Sequence, residues 1–175
     1  MAEPSIPPKS KLFIGILSGD EGLVYKGIEK LGNRFGTIDM RSLPIRFSHT
    51  EYYRSMGPIL FKTLLSFERL IHREEIVDIK LWTNKMEKSL SGKGERRINI
   101  DPGYLTLSNV YLASCKEYFH RSYLTKGIYL ENEYKYIDRR YRPWEWTYPD
   151  YLKKEYLDFF HNVRSIYYSQ IRPAK

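Results

Sequence analysis

Long apolar runs are missing from this 175-residue chain. The longest near the start, Leu12 to Leu17, is interrupted by Gly15, far short of the roughly 20 residues a membrane helix needs. Cysteine occurs once, as Cys115, which excludes an internal disulfide and fits a reducing compartment, so a cytoplasmic protein is expected. The segment Met1 to Lys11 is Pro-rich without an apolar core, so it is not a secretory signal. Residues 1–10 read as a flexible lead-in and 11–172 as one domain.

Nucleotide and metal signatures are absent as well. A P-loop needs Gly-x-x-x-x-Gly-Lys-Ser/Thr after a strand; Ser91-Gly92-Lys93-Gly94 has neither that spacing nor the hydroxyl residue. Gly15, Gly19 and Gly22 do not follow the dinucleotide pattern, and Asp20 and Glu21 occupy the first helical turn, where they would repel a phosphate. His49, His72, His120 and His161 lie far apart, and no Cys/His pair has zinc-ligand spacing. No metal site and no particular cofactor is indicated. No basic tail exists either: residues 1–94 carry 15 basic and 11 acidic side chains, residues 95–175 carry 14 and 10, so each part contributes +4 to the net charge of +8.

What is present is a mixture of two periodicities. Lys11–Leu17 predicts a strand, and Ser18 with Glu21 predicts a capping box for a helix burying Val24, Ile28, Leu31 and Phe35 and ending at Gly36. Ile38–Ser48 predicts a strand interrupted at Pro44, and Gly57-Pro58 the start of a largely buried helix through Ile59, Leu60, Leu64, Leu65 and Phe67. Ile76, Ile79, Trp82, Met86 and Leu90 step at helical spacing, closed by Gly92-Lys93-Gly94. Arg96–Asp101 predicts a strand followed by an Asp101-Pro102-Gly103 turn, and Thr106 the cap of a short helix that buries Cys115. Tyr118–Leu124 and Ile128–Ile137 predict a hairpin around Thr125-Lys126-Gly127; Arg139–Asp150 reads as an aromatic loop. Asp150 would cap a last helix with a core face of Leu152, Tyr156, Phe159, Phe160, Val163 and Tyr167. Together these predict an α+β fold: a mixed, partly antiparallel sheet with helices packed on it.

Two polar groupings are candidates for chemistry. Alternation places Arg97, Asn99 and Asp101 on one face of their strand, with Ile98 and Ile100 on the other. His120 and Arg121 would sit across the hairpin from Glu131 and Glu133, as a charge pair or as a His–carboxylate proton-transfer pair. The competing readings are the wet face of an amphipathic strand and a cross-strand ion pair. Tyrosine is the compositional outlier: 13 of 16 lie between Tyr104 and Tyr168, joined by Trp144 and Trp146 and by the basic run Arg139-Arg140-Tyr141-Arg142.

Thr83-Asn84 with Glu87, the run Arg97-Ile98-Asn99-Ile100-Asp101-Pro102-Gly103-Tyr104-Leu105, His120-Arg121, Gly127-Ile128-Tyr129 and Trp146-Thr147-Tyr148-Pro149-Asp150-Tyr151 resemble a small bacterial family catalogued as domain of unknown function 4416. Lys11–Leu17 and the segment from Tyr52-Tyr53 to Met56-Gly57 share the likeness, which spans roughly residues 9–170. Proteins that look like this are sometimes labelled GTP-binding, but the resemblance implies no established activity and no catalytic residues.

The expected function is therefore a pocket protein, an enzyme or not, for a small anionic ligand such as a nucleotide or other phosphate compound. Arg97 and Arg121 would bind the anion, Asn99 orient it, and Asp101 or His120 handle protons. The alternatives are an RNA-binding accessory protein using Arg139, Arg140, Arg142 and nearby aromatics, and a non-catalytic interaction module.

Overall fold

The computed structural model describes residues 3–47, 53, 56–91 and 95–172. The chain opens with β1 (Ser10–Ser18), α1 (Glu21–Phe35), β2 (Ile38–Arg41), β3 (Ile45–Phe47) and β4 (Leu60–Ile71). It continues through α2 (Glu75–Ser91), β5 (Asn99–Leu105), β6 (Asn109–Ser114), β7 (Ser122–Thr125), β8 (Ile128–Ile137) and β9 (Arg140–Pro143). A 3-10 turn (Pro149–Leu152) leads into α3 (Lys154–Ile171). Among the described residues the nine strands form one open sheet in the order β2-β4-β1-β5-β6-β8-β7, with β3 beside β4 and β9 beside β8. Every pairing among them is antiparallel, so the fold is a single α+β domain without the expected parallel component. No helix among the described residues is long and apolar enough to cross a membrane.

The sheet is the middle of three layers. Leu12, Ile14, Ile16, Leu65, Phe67, Ile98 and Ile100 meet α1 and α2 through Leu31, Phe35, Ile76, Ile79 and Met86. Phe13, Leu64, Val110, Leu112 and Tyr134 meet α3 through Tyr156, Phe159, Phe160, Val163 and Tyr167. β1 and the middle of β4 are covered on both faces, so their residues are buried without alternation.

That double coverage corrects the second expected helix. Leu60–Phe67 lies in strand β4, where the consecutive Leu64 and Leu65 serve opposite faces; Ile59 and Phe61 stay exposed. Thr106 caps a tight turn instead of a helix, its Oγ1 accepting from the Ser108 and Asn109 amides, so Asn109–Ser114 emerges as strand β6. Cys115 is consequently exposed just past β6, not buried in a helix. Asp20, not Ser18, caps α1, accepting from the Leu23 amide at 3.0 Å. Asp150 lies in the 3-10 turn and caps no helix, and Leu152 is exposed. The Asp138-Arg139 pair turns the chain at positive φ into β9, inside the expected loop. The expected Gly92-Lys93-Gly94 stop lies outside the described residues.

Candidate functional site

The site forms where two neighbouring strands part. β5 pairs with β1 along its whole length, from Asn99 opposite Leu17 to Leu105 opposite Lys11. It pairs with β6 only at Gly103–Leu105. Asp101-Pro102-Gly103 is therefore a stretch of strand, not a turn. Proline fits here because β5 behaves as an edge on this side, where no ladder N–H is required. Gly103 marks the point where the strands close up: a Cβ there would lie 2.2 Å from the Tyr111 carbonyl oxygen and 2.4 Å from the Phe13 ring.

In the opening, side chains of α2 replace the missing strand. Glu87 Oε1 accepts from the Ile100 amide at 2.6 Å, and Lys80 Nζ donates to the Ile100 carbonyl at 3.2 Å. Lys80 also reaches Asp101 Oδ1 at 3.3 Å, on the face that α3 covers. The gap thus joins charged groups of both outer layers in one cleft of about 380 Å³. Its wall includes Lys62, Lys80, Glu87, Asp101, Glu131 and Asp150, with Lys88, Arg96 and Lys116 adding positive charge.

Asp150, Glu131 and Glu87 each have a cation. Lys62, 6% exposed near the start of β4, donates to Asp150 Oδ2 at 2.8 Å, and its ammonium lies 5.0 Å from the centre of the Tyr151 ring. Tyr156 Oη donates to the same Asp150 oxygen at 3.1 Å. Glu131, 1% exposed, lies 2.6 Å from His120 Nε2 and accepts from Arg121 Nε at 2.8 Å. Arg96 donates to Glu87 Oε2 at 3.1 Å and also to Asn99, whose amide donates to Asp101.

These surroundings pull the carboxyl groups apart. Burial pushes Asp101 up, but Lys80, Lys62 and the hydrogen bond from Asn99 outweigh it and hold it below the usual range. Burial raises Glu87 above that range, against the pull of Lys80. Glu133 is raised far more, by burial first and then by Glu131. It is the extra residue of a bulge, since Val110 pairs with Tyr134 and Tyr111 with Asn132. Burial also pushes the Tyr148 phenol up to about 12. Among the described residues no group of three or more His, Cys, Asp or Glu side chains is arranged to hold a metal ion.

Of the residues singled out in the sequence, Asn99 and Asp101 line the cleft. Arg97 does not: it is exposed and pairs with Asp20 at 2.7 Å, and Arg96 takes its place. The reason is that β5 begins at Asn99, so strand alternation does not extend back to Arg97. His120 and Arg121 stand behind the wall, touching the cleft through Glu131 and, for Arg121, through Tyr148, whose Oη accepts from Nη2 at 2.6 Å. The turn between β7 and β8 is the two residues Lys126-Gly127, both at positive φ, and Leu124 is bulged out. That combination places both His120 and Arg121 at Glu131 and neither at Glu133.

Lys62, Lys80, Glu87, Arg96 and Asp150 escaped sequence reasoning. A lysine among the apolar residues Leu60, Phe61, Leu64, Leu65 and Phe67 was the available signal for Lys62. The spacing Lys80, Asn84, Glu87 puts one polar stripe on α2, which resembles any solvated helix face.

The chain matches the family described as Domain of unknown function (DUF4416) over residues 8–167, and it belongs to that family. No curated protein matches it. No solved structure matches it.

Proposed function

We propose that this DUF4416 protein is a pocket protein that binds a small anionic ligand, a nucleotide or other phosphate compound, in the cleft between β5 and β6. The observation that carries this reading is the convergence of two buried lysines, Lys62 and Lys80, on one cleft rimmed by Lys88, Arg96 and Lys116. Buried ion pairs are poor stabilisers compared with apolar packing. Several around one cavity are better explained by ligand chemistry. An ammonium has three N–H donors. Lys62 gives one to Asp150, and Lys80 gives two, to Ile100 and Asp101, leaving donors for a phosphate or carboxylate. In this reading Asn99 orients the ligand and Asp101, kept ionised, accepts a hydrogen bond from it. His120 and Arg121 hold Glu131 in position from behind.

RNA binding on the β8–β9 turn has the exposure of Arg139 and Arg140 in its favour. Against it, Trp144 and Trp146 are stacked on each other at 5.1 Å, which leaves less aromatic face for bases.

A thermal-shift screen with nucleotides and sugar phosphates tests the proposal, because a ligand bound only by the folded state raises its melting point. At least one phosphate compound is expected to do so. Lys88→Ala, a change at the exposed rim, weakens that response severalfold without altering the melting point of the unliganded protein. A screen in which no phosphate compound shifts the transition would remove the reading.

A further inference from the structure

An aromatic shelf stands at the edge of the cleft, outside the ion pairs just described. The loop from Lys116 to Arg121 forms that edge. Lys116 lines the cleft, and Arg121 closes the loop, Nη1 donating to the Lys116 carbonyl at 2.9 Å and the backbone N–H to the Tyr118 carbonyl at 3.0 Å. At its tip Tyr118 is 57% exposed and Phe119 81%. Two adjacent large aromatics left in water are unusual enough to need a reason.

These rings are braced, not loose. Phe119 meets the His120 ring edge-on at 4.8 Å, and Tyr118 meets it at 5.1 Å. His120 in turn stacks on Trp146 at 5.3 Å and 10°, Trp146 stacks on Trp144, and the Lys135 ammonium sits 4.0 Å from the Trp144 ring centre. The Arg121 guanidinium lies 5.9 Å from both the Tyr118 and Tyr148 rings, tying the shelf to a residue that lines the cleft. This bracing lowers the entropy lost when something stacks on the shelf.

We infer that the ligand has two parts: an anionic group held in the β5–β6 cleft and a planar aromatic ring packed against Tyr118 and Phe119. The inference rests on the anion-binding reading and adds the chemistry of the ligand's other end. The Tyr118 and Phe119 rings, 5.0 Å apart and inclined at 51°, make an angled pair joined to the cavity wall through Lys116 and Tyr148; one flat ring of a small molecule can lie on one of them and meet the edge of the other. Stacking on the pair would be tolerant of ring identity, because every aromatic ring presents a π-face.

Adenosine diphosphate and pyrophosphate separate the two parts, since both carry a diphosphate and only the first carries an aromatic ring. Titration calorimetry on the full chain gives the ratio of their affinities. In the wild type adenosine diphosphate binds more tightly, and in Phe119→Ala the ratio falls about tenfold. Phe119→Trp keeps the ratio, and Tyr118→Ala, on the other ring, lowers it in case loss of Phe119 disturbs the loop. Pyrophosphate binding with a wild-type ratio near one, or a ratio that neither alanine variant changes, overturns the shelf and leaves the anion cleft standing. If neither compound binds, both the shelf and the anion cleft are wrong.

Discussion

Glu133 is where burial and charge conflict most sharply. Its side chain is wholly buried, close to Glu131 and Asp150, and Tyr148 donates a backbone N–H to Oε2 at 3.3 Å. The folded protein therefore keeps the Glu133 proton at pH values where the unfolded chain has lost it. Between the unfolded value, about 4.3, and the raised folded value, stability must fall as pH rises. Glu133→Gln mimics the protonated acid and removes that dependence. Urea denaturation across the pH range is expected to show the variant more stable than the wild type at neutral pH and no different in acid. Glu87, raised for the same main reason, leaves a smaller slope of the same sign. Asp101 acts in the opposite sense: its stabilising contribution is present above about 3.9 and is lost as pH falls through its lowered folded value. A variant equal to or weaker than the wild type at neutral pH would mean that Glu133 is ionised and paired in the fold.

At the scale of elements, the cleft exists because β5 and β6 part beyond Gly103. Gly103→Ala would set a methyl group against the Tyr111 carbonyl and the Phe13 ring and is expected to cost about 3 kcal/mol by denaturant unfolding, at the upper end of overpacking. The same substitution at Gly32, with nothing within 4 Å of its Cβ position, stabilises or is neutral, as a helix-interior Gly→Ala change should be. Equal effects at the two sites would show that the close approach at Gly103 is not real. Much of this level was legible in the residues. β1, α1, α2, the β7–β8 turn and the buried face of α3 carry strong periodicity or turn chemistry. β4 and β6 were not legible. In β4, Leu64 packs toward α3 while Leu65 packs toward α1 and α2, so the two-residue alternation that marks a strand disappears. In β5, Asp-Pro-Gly has the composition of a turn, and only the departure of β6 explains why it stays extended. The cleft was half visible for the same reason: Asn99 and Asp101 follow from alternation, whereas Lys62, Lys80 and Asp150 come together only through tertiary packing.

Across the whole molecule, the sheet separates two apolar layers and the cleft is where their charged side chains meet. The net charge of +8 favours anionic partners in general, so anion binding alone says little about where binding occurs. Location is the discriminating quantity: the cleft lies on one part of the sheet, and the basic β8–β9 turn on another. Backbone amide shift mapping by NMR during a pyrophosphate titration measures location directly. The account predicts saturable changes at Ile100, Glu87, Ser114 and Cys115, around the opening between β5 and β6. Changes confined to Arg139–Arg142, or no saturable change anywhere, would contradict it.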